Sequence, residues 1–230
     1  MSVVGVDGCA DGWVYVIENG SMVSAAVVST FKRLLDEVGG GSIVAIDVPI
    51  GLTSAGPREA DREARRLLGR PRASSVFPAP VRATLDAQTY EAACDAHRAA
   101  DGRKLSRQAF GILAKIQEVD AELVGSPKLQ ARVREVHPEV CFAVWNGAAM
   151  AHRKATPAGR AEREALIDAE WPGHRRRLLT AVHRHRCAPD DLNDAFAALW
   201  SARRIRDGLS VVLPESPPVD SAGLHMETVA

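Results

Sequence analysis

VVGVDGCADGWVYVIENGSMVSAAVV, residues 3–28, is the stretch whose reading decides the fold. Val3 to Val6 is a short apolar run that closes on Asp7. Gly8 and Gly12 flank a turn, and Trp13 to Ile17 is a second β-rich run, so the two form a hairpin. Asn19-Gly20 is a tight-turn signal and Met22 to Val28 supplies a third strand, which completes an antiparallel meander. Thr30 is placed to cap a helix over Phe31 to Val38, and Gly39-Gly40-Gly41 ends it. Ile43 to Val48 then reads as a buried fourth strand stopped by Pro49. Asp7 falls at the end of the first strand and Asp47 at the end of the fourth.

From Pro57 to about Arg132 the pattern is mainly helical, with segments near 57–68, 86–99 and 106–124 and a Pro-containing loop, SSVFPAPVR, between the first two. A connection this long carries structure of its own, so residues at about 52–130 read as a helical insertion that covers substrate. Arg132 to His137 is a fifth strand, because a residue before proline is pushed to extended geometry, and Pro138 opens the next helix with Glu139 in its first turn. Further helices are expected at 157–170, capped by Thr156, and at 172–186. The last strong helix starts at Pro189. There Leu192, Ala195, Phe196, Leu199 and Trp200 form a buried stripe, with Asp191 and Asp194 three residues apart on a neighbouring face. The tail after Pro214 is Pro- and Ser-rich and reads as loosely packed. One domain spanning 1–230, with the insertion, is the simplest partition.

The chain has 230 residues, enough to bury a sizeable core, and its 29 Lys and Arg balance 29 Asp and Glu. No global field therefore draws it to nucleic acid or anionic membrane, and any polyanion site is local. Four scattered cysteines without a C-x-x-C pair argue against zinc sites and disulfide scaffolds and fit reduced thiols in a cytoplasmic protein. No signal-peptide pattern and no membrane-length apolar run are present, so no membrane association is expected.

Acids at the ends of two strands, at one helix start and on a further helix are placed where one divalent-metal site would collect them. The order strand, strand, strand, helix, strand, helical insert, strand, helix resembles the RNase H-like fold, with Holliday-junction resolvases as the nearest analogue. More specifically, GVDGCADGW, AIDVPIGL, DREARRLLG, SSVFPAPVRATL, KLSRQAFGILAKIQEVD, REVHPEVCFAVWNG and GLHMET resemble, nearly end to end, a domain-of-unknown-function family of predicted RNase H-like nucleases. The chain departs from that family's Gly-rich, arginine-containing first turn at Ala10 and Asp11. The resemblance implies an α/β fold: a mixed sheet of three antiparallel then two parallel strands, flanked by helices.

It also implies a phosphodiester hydrolase acting on DNA or RNA by two-metal-ion chemistry, in which Mg²⁺ or Mn²⁺ ions about 4 Å apart neutralise the phosphate and activate water. Hard cations take oxygen ligands. Asp7 would bridge the metals, with Asp47 and Asp194 of the D-x-x-D-A run (Asp191 to Ala195) as outer ligands. Glu139 or Asp191 would complete a shell, and His137 would deliver a proton to the leaving group. Arg62, Ser75, Arg82 and Lys115 are candidate substrate contacts; of Glu118 and Asp120, at most one turns toward the site. A homodimer would suit a symmetric junction.

Each residue has a plainer use. Asp7 before Gly8 suits a turn, Asp47 can pair with Arg62 or Arg65, Asp191 and Glu139 favour helix N-termini, and His137 suits a hydrogen-bonded strand end. Residues 151–187 hold nine Lys or Arg against four acids, either a phosphate-binding track or a solvated helix face. Two other functions remain open: a noncatalytic nucleic-acid or protein-binding module retaining the fold, and an actin-like phosphotransferase, against which the chain's length argues.

Overall fold

The computed structural model describes residues 1–182 and 185–230. A meander of β1 (Val3–Cys9), β2 (Gly12–Asn19) and β3 (Met22–Val28) leads through α1 (Phe31–Val38) to β4 (Ile43–Ile46). The Thr30 hydroxyl accepts from the Arg33 N–H to start α1. The insertion carries α2 (Glu59–Leu68), two 3₁₀ turns, α3 (Tyr90–Asp101), α4 (Arg107–Gly111), α5 (Leu113–Leu123) and a short α6 (Pro127–Gln130). The segment expected as one helix over 106–124 is therefore two, broken at Ile112. After β5 (Val133–Glu135) come α7 (Pro138–Asn146), α8 (Pro157–Glu170), α9 (His174–Val182) and α10 (Pro189–Arg206), then β6 (Val212–Leu213) and β7 (Thr228–Val229). Proline occupies the first turn of α7, α8 and α10, where its missing N–H costs nothing.

The main sheet runs β3-β2-β1-β4-β5, antiparallel through the meander and parallel from β1 to β4 to β5. This α/β arrangement, with helices on both faces, is consistent with an RNase H-like sheet. Side chains alternate across it. Val4, Val6, Val44 and Ile46 pack with Phe31 and Leu34 of α1 and Ile116 of α5 on one face. Val3, Val14, Val16 and Ala45 pack with α7 and α10 on the other.

Gly5 sets how close α10 lies. A Cβ there would stand 2.1 Å from the Ala195 carbonyl oxygen and the Leu199 nitrogen, so the helix backbone rests directly on the strand. With helices on its far side, α10 is buried almost all round.

The C-terminal segment departs from expectation. Leu224, Met226, Val229 and Ala230 are buried, and Val229 bridges Val136 in parallel beside β5. Asp220 holds the segment in place: its carboxylate accepts from the Leu52, Ala222 and Leu224 N–H groups and pairs with Arg82. All four cysteines are free. Among the described residues no helix is long and apolar enough to cross a membrane.

Candidate functional site

Asp7 and Asp47 come together because of strand register. Val6 pairs with Ile46 across the parallel β1–β4 ladder, and the Asp47 N–H donates to the Val6 carbonyl at 3.0 Å. The next residue on each strand is an aspartate, so the two acids stand side by side. Asp7 lies two positions beyond Gly5 and shares its face, which brings it under the first turns of α10 and Asp194. A cavity of about 790 Å³ opens over these three acids, between the insertion and the loop before α8.

The acids are deeply set, with 9% of Asp7 and 3% of Asp194 exposed. Burial, then the charges of Asp47, Asp194 and Asp191, hold the Asp7 carboxyl well above the ordinary carboxylate range. Burial pushes Asp47 up to about 7, against the attraction of Lys154 and with the Glu139 charge. Asp194 rises to about 6 for the same leading reason, opposed by Lys154. The Lys154 ammonium bonds Asp194 Oδ2 at 2.8 Å, and this pairing holds its own value above the usual lysine range. Asp7 Oδ1 accepts from the Gly8 N–H at 2.7 Å, so the turn contact expected of an Asp-Gly pair is present as well. The Asp47 carboxylate has no hydrogen-bond partner among the described residues; neither Arg62 nor Arg65 reaches it, since Arg62 pairs with Glu59 and Arg65 donates to the Val76 carbonyl.

The other sequence candidates divide. His137 lines the cavity, and its buried Nδ1 has no partner. Burial holds this imidazole below its ordinary value, against the charges of Glu139 and Asp194. Glu139 also borders the cavity, but both of its oxygens are taken by Arg163, 2% exposed, at 2.5 and 2.7 Å from Nη2. A carboxylate so engaged anchors α8 to α7 and is not free to take a metal. Asp191 does not line the cavity; it accepts from the Ala188 N–H at 2.8 Å and caps α10, although its charge is felt at Asp7.

Ser75 lines the cavity and pins the turn Arg72–Ser75 through a 2.7 Å bond from its hydroxyl to the Arg72 carbonyl. Lys115 lines it too, donating to the Gly12 carbonyl and lying 4.4 Å from the Trp13 ring. Gly8 makes room for it, since a Cβ there would meet the lysine chain at 2.7 Å.

Arg62 and Arg82 are not brought to the site. Arg62 is exposed on α2, whereas Arg82 ties Asp120 to Asp220 and so fastens the insertion to the C-terminal segment. Glu118 also turns away, accepting from Trp13 Nε1 and the Phe31 N–H. Thus neither acid of the QEVD run lines the cavity.

The basic stretch 151–187 is not a continuous track. Arg163 is buried, Arg175 is held by Asn193 and Glu164, and Arg177 donates to the Val23 carbonyl. His183 and Arg184 of that stretch lie outside the described residues. What the sequence reading missed as individual groups are Arg153 and Lys154, counted there only as charge; both line the cavity, as does Arg72, one of the insertion arginines that the sequence places within reach of substrate. Also missed is a buried ion network beside the acids, in which Arg58, 2% exposed, pairs with Asp61 and Glu135. Burial pushes Glu135 up to about 7 even so, against the attraction of Arg58. These side chains brace the insertion against the ends of β4 and β5.

Carboxylate oxygens on three elements are the donor chemistry that Mg²⁺ or Mn²⁺ takes. Among the described residues, however, no three His, Cys, Asp or Glu side chains already stand as a group that could hold a metal ion, and Lys154 supplies the positive charge on Asp194. No curated protein and no solved structure matches the chain. The family model described as a protein of unknown function, DUF429, matches residues 5–219, and the chain belongs to that family.

Proposed function

We propose that the protein is a divalent-metal-dependent phosphodiester hydrolase of RNase H-like type acting on nucleic acid. The observation that carries this reading is the meeting of Asp7, Asp47 and Asp194 in one cavity, where one lysine, Lys154, is bonded to Asp194. Burial first, and neighbouring carboxylates after it, raise all three carboxyl values against the one ammonium of Lys154, and a divalent cation is a species that would hold them ionised. Asp7, Asp47 and Asp194 would hold Mg²⁺ or Mn²⁺, which when bound neutralises phosphoryl oxygens and acidifies attacking water. The chain's own groups do the rest. His137, on the cavity lining, would exchange a proton with the reacting groups, while Lys115 and the rim arginines would hold phosphate oxygens.

The same carboxylates, not yet gathered into a metal-binding group, favour a second reading: a noncatalytic binding module that retains the fold. One experiment separates the two. Wild type and Asp7→Asn are incubated with Mn²⁺ or Mg²⁺ and a labelled panel of DNA, RNA, hybrid and branched substrates. The hydrolase reading expects metal-dependent cleavage that falls at least about a hundredfold in the variant; folded, metal-supplied wild type that cuts nothing favours the module.

A further inference from the structure

The shape of the cavity says what size of substrate its acids can meet. Its volume of about 790 Å³ falls in the range that encloses a small ligand, roughly 300–1,000 Å³. Asp7 and Asp194 lie at its floor, nearly closed to solvent. A duplex or junction is a convex rod with a charge about every 1.7 Å, and a protein holds it along a run of exposed Lys and Arg. Here the richest basic stretch is largely spent on internal contacts, with Arg163 on Glu139, Arg175 on Glu164 and Arg177 on a strand carbonyl.

Two cationic groups on the cavity lining are not spent in this way. Arg72 and Arg153 line it from opposite walls, and neither guanidinium has an ion-pair or hydrogen-bond partner among the described residues; Arg72 Nε is buried without one. Among the described residues Phe77 is the only Phe, Tyr or Trp on the lining. One ring is a stacking platform for one base, whereas proteins that track a strand present several in succession.

We infer that this site takes a phosphodiester of single-nucleotide reach, a dinucleotide or the terminal nucleotide of a single strand, with Arg72 and Arg153 on phosphate oxygens and Phe77 against the base. This rests on the hydrolase reading of the same acids. Water oxygen bonds to phosphorus, the P–O bond to the departing nucleoside breaks, and that oxygen gains a proton. The products are a phosphate monoester and an alcohol, with no change of oxidation state.

The test is calorimetric titration of wild type, Arg72→Ala, Arg153→Ala and Phe77→Ala with dithymidine monophosphate in Ca²⁺ buffer. A covalently closed duplex and a four-way junction serve as competitors, and hydrolysis is followed separately in Mn²⁺. The inference expects dinucleotide binding, loss of about tenfold or more in each arginine variant, a smaller loss in Phe77→Ala, and no competition from closed duplex or junction. Failure of the dinucleotide to bind, unchanged affinity in the three variants, or competition by closed duplex or junction at equal concentration would overturn it. Binding with the expected variant losses but no release of nucleoside in Mn²⁺ upholds the substrate size and sinks the hydrolase reading alone. Stepwise release of mononucleotides from a linear single strand assigns a strand end; turnover of the dinucleotide alone assigns the free molecule.

Discussion

At the scale of single residues, the acids of the cavity are held against their preference for water. A carboxyl whose folded-state value lies above its unfolded value binds more protons folded than unfolded between the two, so stability falls as pH rises through that window. For Asp47 the window runs from about 4 to about 7, with Asp194 and Asp7 adding to it in the same direction. In chelator, these three groups therefore lower the melting temperature between pH 4 and pH 7. Asp7→Asn removes one charge while keeping an oxygen for the Gly8 N–H. The variant should melt higher than wild type at pH 7 in chelator, by about 2–4 °C if the relief is about 1 kcal/mol, and should lose any Mn²⁺-dependent gain. A scanning calorimetry series over pH and Mn²⁺ checks both. A variant that melts lower in chelator would mean Asp7 is stabilising, and the electrostatic account would be wrong. Glu139 shows why burial alone does not mark such a group, since Arg163 satisfies both of its oxygens.

At the scale of elements, the site depends on α10 touching β1 with nothing between. Gly5 is the position that permits it, because any side chain there enters the helix backbone rather than a movable side chain. Gly5→Ala should cost about 3 kcal/mol, the upper part of the overpacking range. Denaturant melts give the loss, and the Mn²⁺ response of the folded fraction reports whether Asp194 has moved from Asp7. A loss below about 1 kcal/mol would mean that α10 shifts easily on the sheet and that its register does not fix the site.

Over the whole molecule, the insertion and the C-terminal segment are fastened to each other and to the sheet by charged groups with low exposure. Asp220 joins Leu52, Arg82 and its own turn, Arg82 continues to Asp120, and Arg58 links Asp61 to Glu135. Asp220→Ala removes the acceptor for three backbone N–H groups and one guanidinium. Bonds to charged groups are worth about 1.5–3 kcal/mol each, though not additively. The variant should open locally, with faster amide exchange at Leu52 and Leu224 while β1 and β2 stay protected. Uniform acceleration across the sheet would show that the clamp belongs to global rather than local stability.

The sequence alone determined what neighbouring residues decide: the turn at Ala10-Asp11, the turn that Asn19-Gly20 signals and that forms at Gly20-Ser21, the start of α1 at Thr30, and helix starts at Pro138, Pro157 and Pro189. It also placed Asp47 at a strand end, since an apolar run that closes on an acid is visible locally, and Asp7 on the first strand, which runs two residues past it to Cys9. It did not show where charged side chains end up. Glu139 and Arg163 lie 24 positions apart, Lys154 and Asp194 40 apart, and Arg82 and Asp220 138 apart. An acid leaving water needs a partner, and only the tertiary structure decides which distant element supplies one. For the same reason the Pro- and Ser-rich tail, with no periodic pattern of its own, became ordered: beside the turn that Asp220 closes within it, its bonds reach Leu52, Arg82 and Val136.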